Sequence, residues 1–180
     1  MKVLESPLPG AMILEPKVFE DERGFFLESY NERAFAELGI REKFVQDNHS
    51  FSKHGVLRGL HYQVKEPQAK LVRVVSGRVL DVFVDLRKSS AAFGRWHSVE
   101  LSDQNRHLAW IPAGFAHGFY VLSESAHVLY KSTAFYDSQL ERTILWNDPD
   151  LNIAWGNTRT PLLSEKDKRA VRLRDAEVFE

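Results

Sequence analysis

The chain has 180 residues, 43% of them hydrophobic and 27% charged, which suits one globular domain that buries a core without staples. A net charge of −1 gives no electrostatic basis for binding nucleic acid, since phosphate-binding domains are visibly basic. With no cysteine, a disulfide framework, a thiolate metal site and a cysteine nucleophile are all excluded. Met1 to Pro7 carry an early charge and a proline, and no apolar run reaches transmembrane length. The expectation is a soluble, cytoplasmic protein that stays out of membranes.

In chain order, Ala11 to Phe19 mixes apolar residues with Pro16 and predicts a short edge strand. Asp21-Glu22-Arg23-Gly24 is turn chemistry, and Phe25 to Tyr30 reads as an aromatic strand. Asn31 is placed to cap a short helix through Phe35 and Leu38, with Gly39 near its end. Residues 44–51 are extended again, and Ser52 to Gly55 form a turn. The stretch Arg58-Gly59-Leu60-His61-Tyr62-Gln63 then sets a guanidinium, an imidazole, a phenol and an amide within six residues. Leu71–Val75 and Arg78–Leu86 flank Ser76-Gly77 and together predict a hairpin. Further strands are expected at 95–101, 107–111, 117–122 and 126–136, and Ser164 to Asp167 resembles a helix start. Many short strands with little helix predict a single all-β domain over residues 1–180, an antiparallel sandwich or barrel with a small helical tail.

Several of these residues carry chemistry. His61 is a candidate base, and Asp81, Asp85 and Asp167 are candidate carboxylates to orient a histidine. Lys70 begins an apolar strand, where an inward ammonium could stabilise an enolate. Alternation puts Tyr130 and Tyr136 on one face, either of them a potential general acid. Arg58 and His61 are three apart, so a regular strand sends them to opposite faces; a bulge or kink at Gly59 would bring them together.

Ile111-Pro112-Ala113-Gly114-Phe115-Ala116-His117-Gly118 resembles the second motif of the cupin jelly-roll barrels, whose histidine points inward. Metal-binding cupins pair it with His-x-His, but here the sequence runs His61-Tyr62-Gln63, so no metal is expected. More specifically, the chain resembles the dTDP-4-dehydrorhamnose 3,5-epimerase family. The matching blocks are Asp21 to Glu28, Gln46 to Ser50, Gly55 to Gln63, Ile111 to Gly118, Tyr130-Lys131, Trp146 to Pro149, and Leu163 to Asp167.

The resemblance implies a cupin-type jelly roll that epimerises C3 and C5 of dTDP-4-dehydro-6-deoxy-D-glucose without cofactor or metal. His61 would be the base, Asp167 its partner with Asp81 a second acid nearby, Tyr130 the acid on the opposite face, and Lys70 the cation at the C4 oxygen. Arg23, Phe26, Glu28, Gln46, Asn48 and Arg58 would hold nucleotide or sugar, and His117 and Tyr136 would line the same cavity. A homodimer is implied, with N-terminal strands reaching the partner's sheet and site. The alternatives are a mono-epimerase on the same substrate class, a metal-dependent cupin oxygenase and a non-catalytic nucleotide-sugar binding domain.

Overall fold

The computed structural model describes residues 1–157 and 159–180. Its elements are β1 (Lys2–Glu5), β2 (Met12–Glu15), β3 (Val18–Asp21), β4 (Gly24–Leu27), α1 (Glu32–Glu37), β5 (Gln46–Lys53) and β6 (Leu57–Gln63). There follow β7 (Lys70–Ser76), β8 (Arg78–Asp85), β9 (Trp96–Ser102), β10 (Leu108–Ile111), β11 (Phe115–Val121), β12 (Ser125–Ser132), β13 (Glu141–Thr143) and α2 (Glu165–Lys168). A 3-10 turn at Leu173–Asp175 precedes the C-terminus. The strands form a six-stranded sheet, β1-β2-β10-β7-β12-β5, and a five-stranded sheet, β13-β6-β11-β8-β9, with β3-β4 a separate hairpin. Two antiparallel sheets packed face to face make the expected jelly roll.

Period-2 alternation builds the core between the sheets. On β8, Val79 and Phe83 point inward and pack with Val72, Val74, Phe119 and Val128. The intervening Val82 and Val84 pack on the outer side, under Ile144, Leu151 and Trp155 of the C-terminal region. The outer face of the six-stranded sheet is partly covered by α1 and the segment after it, where Phe35 and Ile40 meet Leu71, Leu108 and Trp110. Both helices begin as expected. The Asn31 side chain accepts from the Arg33 and Ala34 amides, and that of Ser164 accepts from the Asp167 amide.

Four local expectations are corrected. The predicted 11–19 strand breaks at Pro16-Lys17 into β2 and β3, and β2 lies between two partners rather than at an edge. The aromatic strand stops at Leu27. The last long strand ends at Ser132, so Tyr136 stands on a loop. Most consequentially, β7 and β8 are not a hairpin: β7 pairs with β10 and β12, β8 with β11 and β9. Ser76-Gly77 is the corner at which the chain changes sheets. Gly77 has φ +82, and a Cβ there would collide with the Ser125 carbonyl.

Candidate active site

The two inner faces diverge at one end of the sandwich and leave a cavity of about 350 Å³. His61 and Arg58 reach it from β6, His117 from β11, Lys70 from β7, Tyr130 from β12, and Gln46 and Asn48 from β5. His61 and Arg58 share that face because of the bulge expected at Gly59. Across the β6–β11 ladder His61 is opposite His117 and Arg58 opposite Phe119, so three steps on one strand match two on the other. The outer-facing residues confirm the slip, since Leu57, Leu60 and Tyr62 all pack beneath the sheet. Gly59 has φ +126, and a Cβ on it would lie 2.5 Å from the Gly118 Cα; one on Gly118 would lie 2.6 Å from the Arg58 carbonyl oxygen. Two facing glycines thus bring the strands close enough to set the bulge.

Each cavity histidine is backed by a buried carboxylate. His61 Nε2 donates to Asp167 Oδ1 at 2.5 Å, and His117 Nε2 donates to Asp81 Oδ1 at 2.7 Å. A carboxylate only accepts, so each pairing holds the proton on Nε2 and leaves Nδ1 as the basic nitrogen. Asp167 is itself fixed by Ser164, whose hydroxyl donates to Oδ2 at 2.8 Å. Burial pushes Asp167 up, but the bonds from His61 and Ser164 outweigh it and hold the carboxyl below its usual range. Burial also dominates at His61, pushing the imidazole below 6.5 although Asp167 pulls the other way. Asp85, the third candidate carboxylate, is bonded instead to Arg87 and Ser90 and touches no histidine.

Lys70 is buried, with its Nζ 3.5 Å from the His61 carbonyl oxygen and 5.9 Å from the Tyr130 ring centre. Burial lowers its ammonium to about 8. Tyr130 is raised above 10 by burial and then by Glu141, so its phenol keeps its proton at neutral pH. Arg58 crosses toward β5, donating from Nε to Ser52 Oγ at 2.9 Å and from Nη2 to the Phe51 carbonyl at 3.2 Å.

Three sequence-predicted residues lie elsewhere. Arg23 is in the β3–β4 turn, highly exposed and paired with Asp21 at 2.5 Å; Phe26 is 70% exposed on β4; Glu28 accepts from Asn31. None of them lines the cavity of its own chain. Sequence reasoning in turn missed Glu141, Lys166 and Gln68, which do line it. Glu141 accepts from Lys166 Nζ at 2.7 Å and from the Tyr136 hydroxyl at 2.8 Å, and the latter bond pushes Tyr136 up to about 12. Glu141 begins a three-residue strand too short to signal itself; the one clue to Lys166 is its place beside Asp167.

A family model described as dTDP-4-dehydrorhamnose 3,5-epimerase matches residues 5–175. A curated relative of that name from Pseudomonas aeruginosa is 54% identical, with 99% of each chain aligned. Among solved structures, the dTDP-4-dehydrorhamnose 3,5-epimerase of Elizabethkingia anophelis superposes with a TM-score of 0.92 at 50% identity, over 97% of both chains. A 3,5-epimerase from Legionella pneumophila in complex with dTDP-4-keto-L-rhamnose gives 0.95 at 47% identity, over 98% of this chain and 94% of that one.

Proposed function

Because the chain belongs to the dTDP-4-dehydrorhamnose 3,5-epimerase family, we propose that the cavity between the sheets is its active site, with His61, Tyr130 and Lys70 as the acid–base set. The protein is an isomerase that inverts C3 and C5 of dTDP-4-dehydro-6-deoxy-D-glucose, giving dTDP-4-dehydro-L-rhamnose for dTDP-L-rhamnose synthesis. Both protons removed are α to the C4 ketone, so each step needs a base, a cation at the developing oxyanion and an acid on the far face. His61 Nδ1 takes the proton while Asp167 holds the ring and stabilises the imidazolium. The Lys70 ammonium faces the C4 oxygen, and the Tyr130 phenol returns a proton. His117, backed by Asp81, and Tyr136 line the sugar subsite, with Gln46, Asn48 and Arg58 on the nucleotide side.

The observation that carries this assignment is the placement of base and acid on facing sheets. His61 projects from the five-stranded sheet and Tyr130 from the six-stranded one, with the cavity between them. A sugar carbon held there is approached from opposite faces, which is the requirement for inversion. A metal-dependent oxygenase finds no support at Gln63, whose amide is engaged at both ends by main-chain groups.

Residues 1–180 act in this reading as one domain, in a homodimer in which Arg23, Phe26 and Glu28 serve the partner's site. Supporting the dimer, Phe19, Phe25 and Phe26 of the β3–β4 hairpin are 52%, 58% and 70% exposed, and Phe51 and Val75 lie bare on the outer sheet face. None of the described helices is long and apolar enough to cross a membrane.

Proton NMR in D₂O with dTDP-4-dehydro-6-deoxyglucose tests the chemistry. Deuterium is expected at both C3 and C5; incorporation at one carbon alone would make the protein a mono-epimerase. His61→Ala and Tyr130→Phe should retain dTDP affinity while turnover falls by about 10²- to 10⁴-fold. An active His61→Ala protein would remove histidine as the base.

A further inference from the structure

Tyr136 reaches the cavity from the loop between β12 and β13; main-chain bonds hold the loop at Thr133 and from Asp137 to Glu141, and the Tyr136 hydroxyl donates to Glu141, but the stretch between them is held differently. Phe135 is 66% exposed and Tyr136 53%, so neither ring is anchored in the core. Residues 134–136 make no main-chain-to-main-chain hydrogen bond among the described residues. Glutamine side chains take that place. The Ala134 carbonyl accepts from Gln68 Nε2 at 2.9 Å, the Phe135 carbonyl from Gln63 Nε2 at 3.1 Å, and the Tyr136 amide donates to Gln46 Oε1 at 2.9 Å. The Asp137 amide then donates to Gln63 Oε1 at 2.9 Å.

Gln63 is the centre of this arrangement. It is 2% exposed, and its amide binds the residues on both sides of Tyr136, with a further bond from Nε2 to the Glu66 carbonyl at 2.8 Å. Primary amides suit the task because one end donates and the other accepts, so a single side chain can satisfy a carbonyl and an amide two residues apart. Gln63 also stands two residues beyond His61 on the same face of β6, so the strand that carries the base also sets the loop.

We propose that Gln63 is a positioning residue for the epimerisation: with Gln68 it clamps the 134–137 main chain and so fixes where the Tyr136 ring meets the sugar. The proposal rests on the epimerase reading and on Tyr136 as a sugar contact. Gln63 touches no substrate in this scheme and acts through Tyr136 alone.

The test compares Gln63→Leu, Tyr136→Ala and the double variant for KM, kcat and the ratio of deuterium uptake at C3 and C5. Loss of the buried amide bonds should raise KM about five- to tenfold and shift the C3:C5 ratio, with kcat within about threefold of wild type. Tyr136→Ala should shift KM and the ratio in the same direction, and the double variant should be no worse than Tyr136→Ala, because both changes disable the same contact. Effects that multiply in the double variant, or an unchanged KM and ratio in Gln63→Leu, overturn the proposal.

Should Gln63→Leu fold poorly, Gln68→Leu removes the Ala134 bond from a half-buried position and should give a smaller change, again absorbed by Tyr136→Ala. A fluorotyrosine label at Tyr136 reads the clamp without turnover: its ¹⁹F line should broaden or shift in Gln63→Leu, and an unaltered line counts against the clamp. Wild-type protein that exchanges at neither carbon overturns the epimerase reading, and the fluorine line still decides the clamp.

Discussion

Replacing Lys70 by Met should stabilise the protein while crippling it. Lys70 is 7% exposed, and burial lowers its ammonium from the ordinary 10.5 to about 8. At about 1.36 kcal/mol per pH unit, that gap amounts to roughly 3 kcal/mol spent keeping the charge inside. Below about pH 8 the lysine is protonated both folded and unfolded, and the cost is present in full. Between about 8 and 10.5 the folded protein has shed the proton that the unfolded chain still binds, so wild-type stability rises with pH and the cost fades. Met keeps the unbranched apolar stem without the charge. Urea unfolding should therefore find Lys70→Met more stable by about 3 kcal/mol near pH 7, and by about half as much near pH 9.5. A variant less stable than wild type, or a gap that does not narrow with pH, would refute the reasoning. Turnover of the same variant should fall by about 10²- to 10³-fold, as for loss of an oxyanion donor.

The pH profile of kcat/KM should be bell-shaped. Its acid limb should lie below 6.5, where burial places His61, and its basic limb near about 8, where Lys70 loses its charge. Lys70→Arg should remove the basic limb from that range, because a guanidinium stays protonated; an unmoved limb would reassign it. Gly59→Ala should cost about 2–5 kcal/mol in unfolding experiments, from a backbone at φ +126 and a Cβ 2.5 Å from Gly118, and should lower turnover by displacing His61. Near-wild-type stability would mean that the strands can separate at the bulge without penalty.

Local chemistry made much of this protein legible beforehand. Asn31 and Ser164 announced their helices because a short polar side chain satisfies free amides at a helix start. The spacing of Arg58 and His61 around Gly59 raised a bulge or kink as the way to bring both to one face, and the β6–β11 register shows the irregularity there. Ser76-Gly77 misled for the same reason that it was informative. A glycine at positive φ serves a two-residue hairpin and a corner between sheets equally well, and the choice depends on β10 and β12 occupying the two edges of β7, which leaves none for β8. Strand alternation was the wrong basis for setting Tyr136 on one face with Tyr130: β12 ends at Ser132, and Tyr136 reaches the cavity that the resemblance implied for it on a loop held by glutamines.

The jelly roll was implied by the family resemblance; by itself, the sequence determined the all-β class, as an antiparallel sandwich or barrel, and the inventory of a histidine, a tyrosine and a lysine suited to proton transfer beside a ketone. These follow from period, turn residues and side-chain chemistry, all of which act over a few positions. Side-chain chemistry alone left Asp81, Asp85 and Asp167 open as partners of a histidine; the resemblance implied Asp167 for His61, and the tertiary structure shows that pair meeting across 106 positions and Asp81 meeting His117 across 36. The same holds for the facing of base and acid from separate sheets and for the recruitment of Glu141 and Lys166. No local rule reports a hydrogen bond between distant segments, because its geometry and its dielectric surroundings exist only once both sheets have closed over the core.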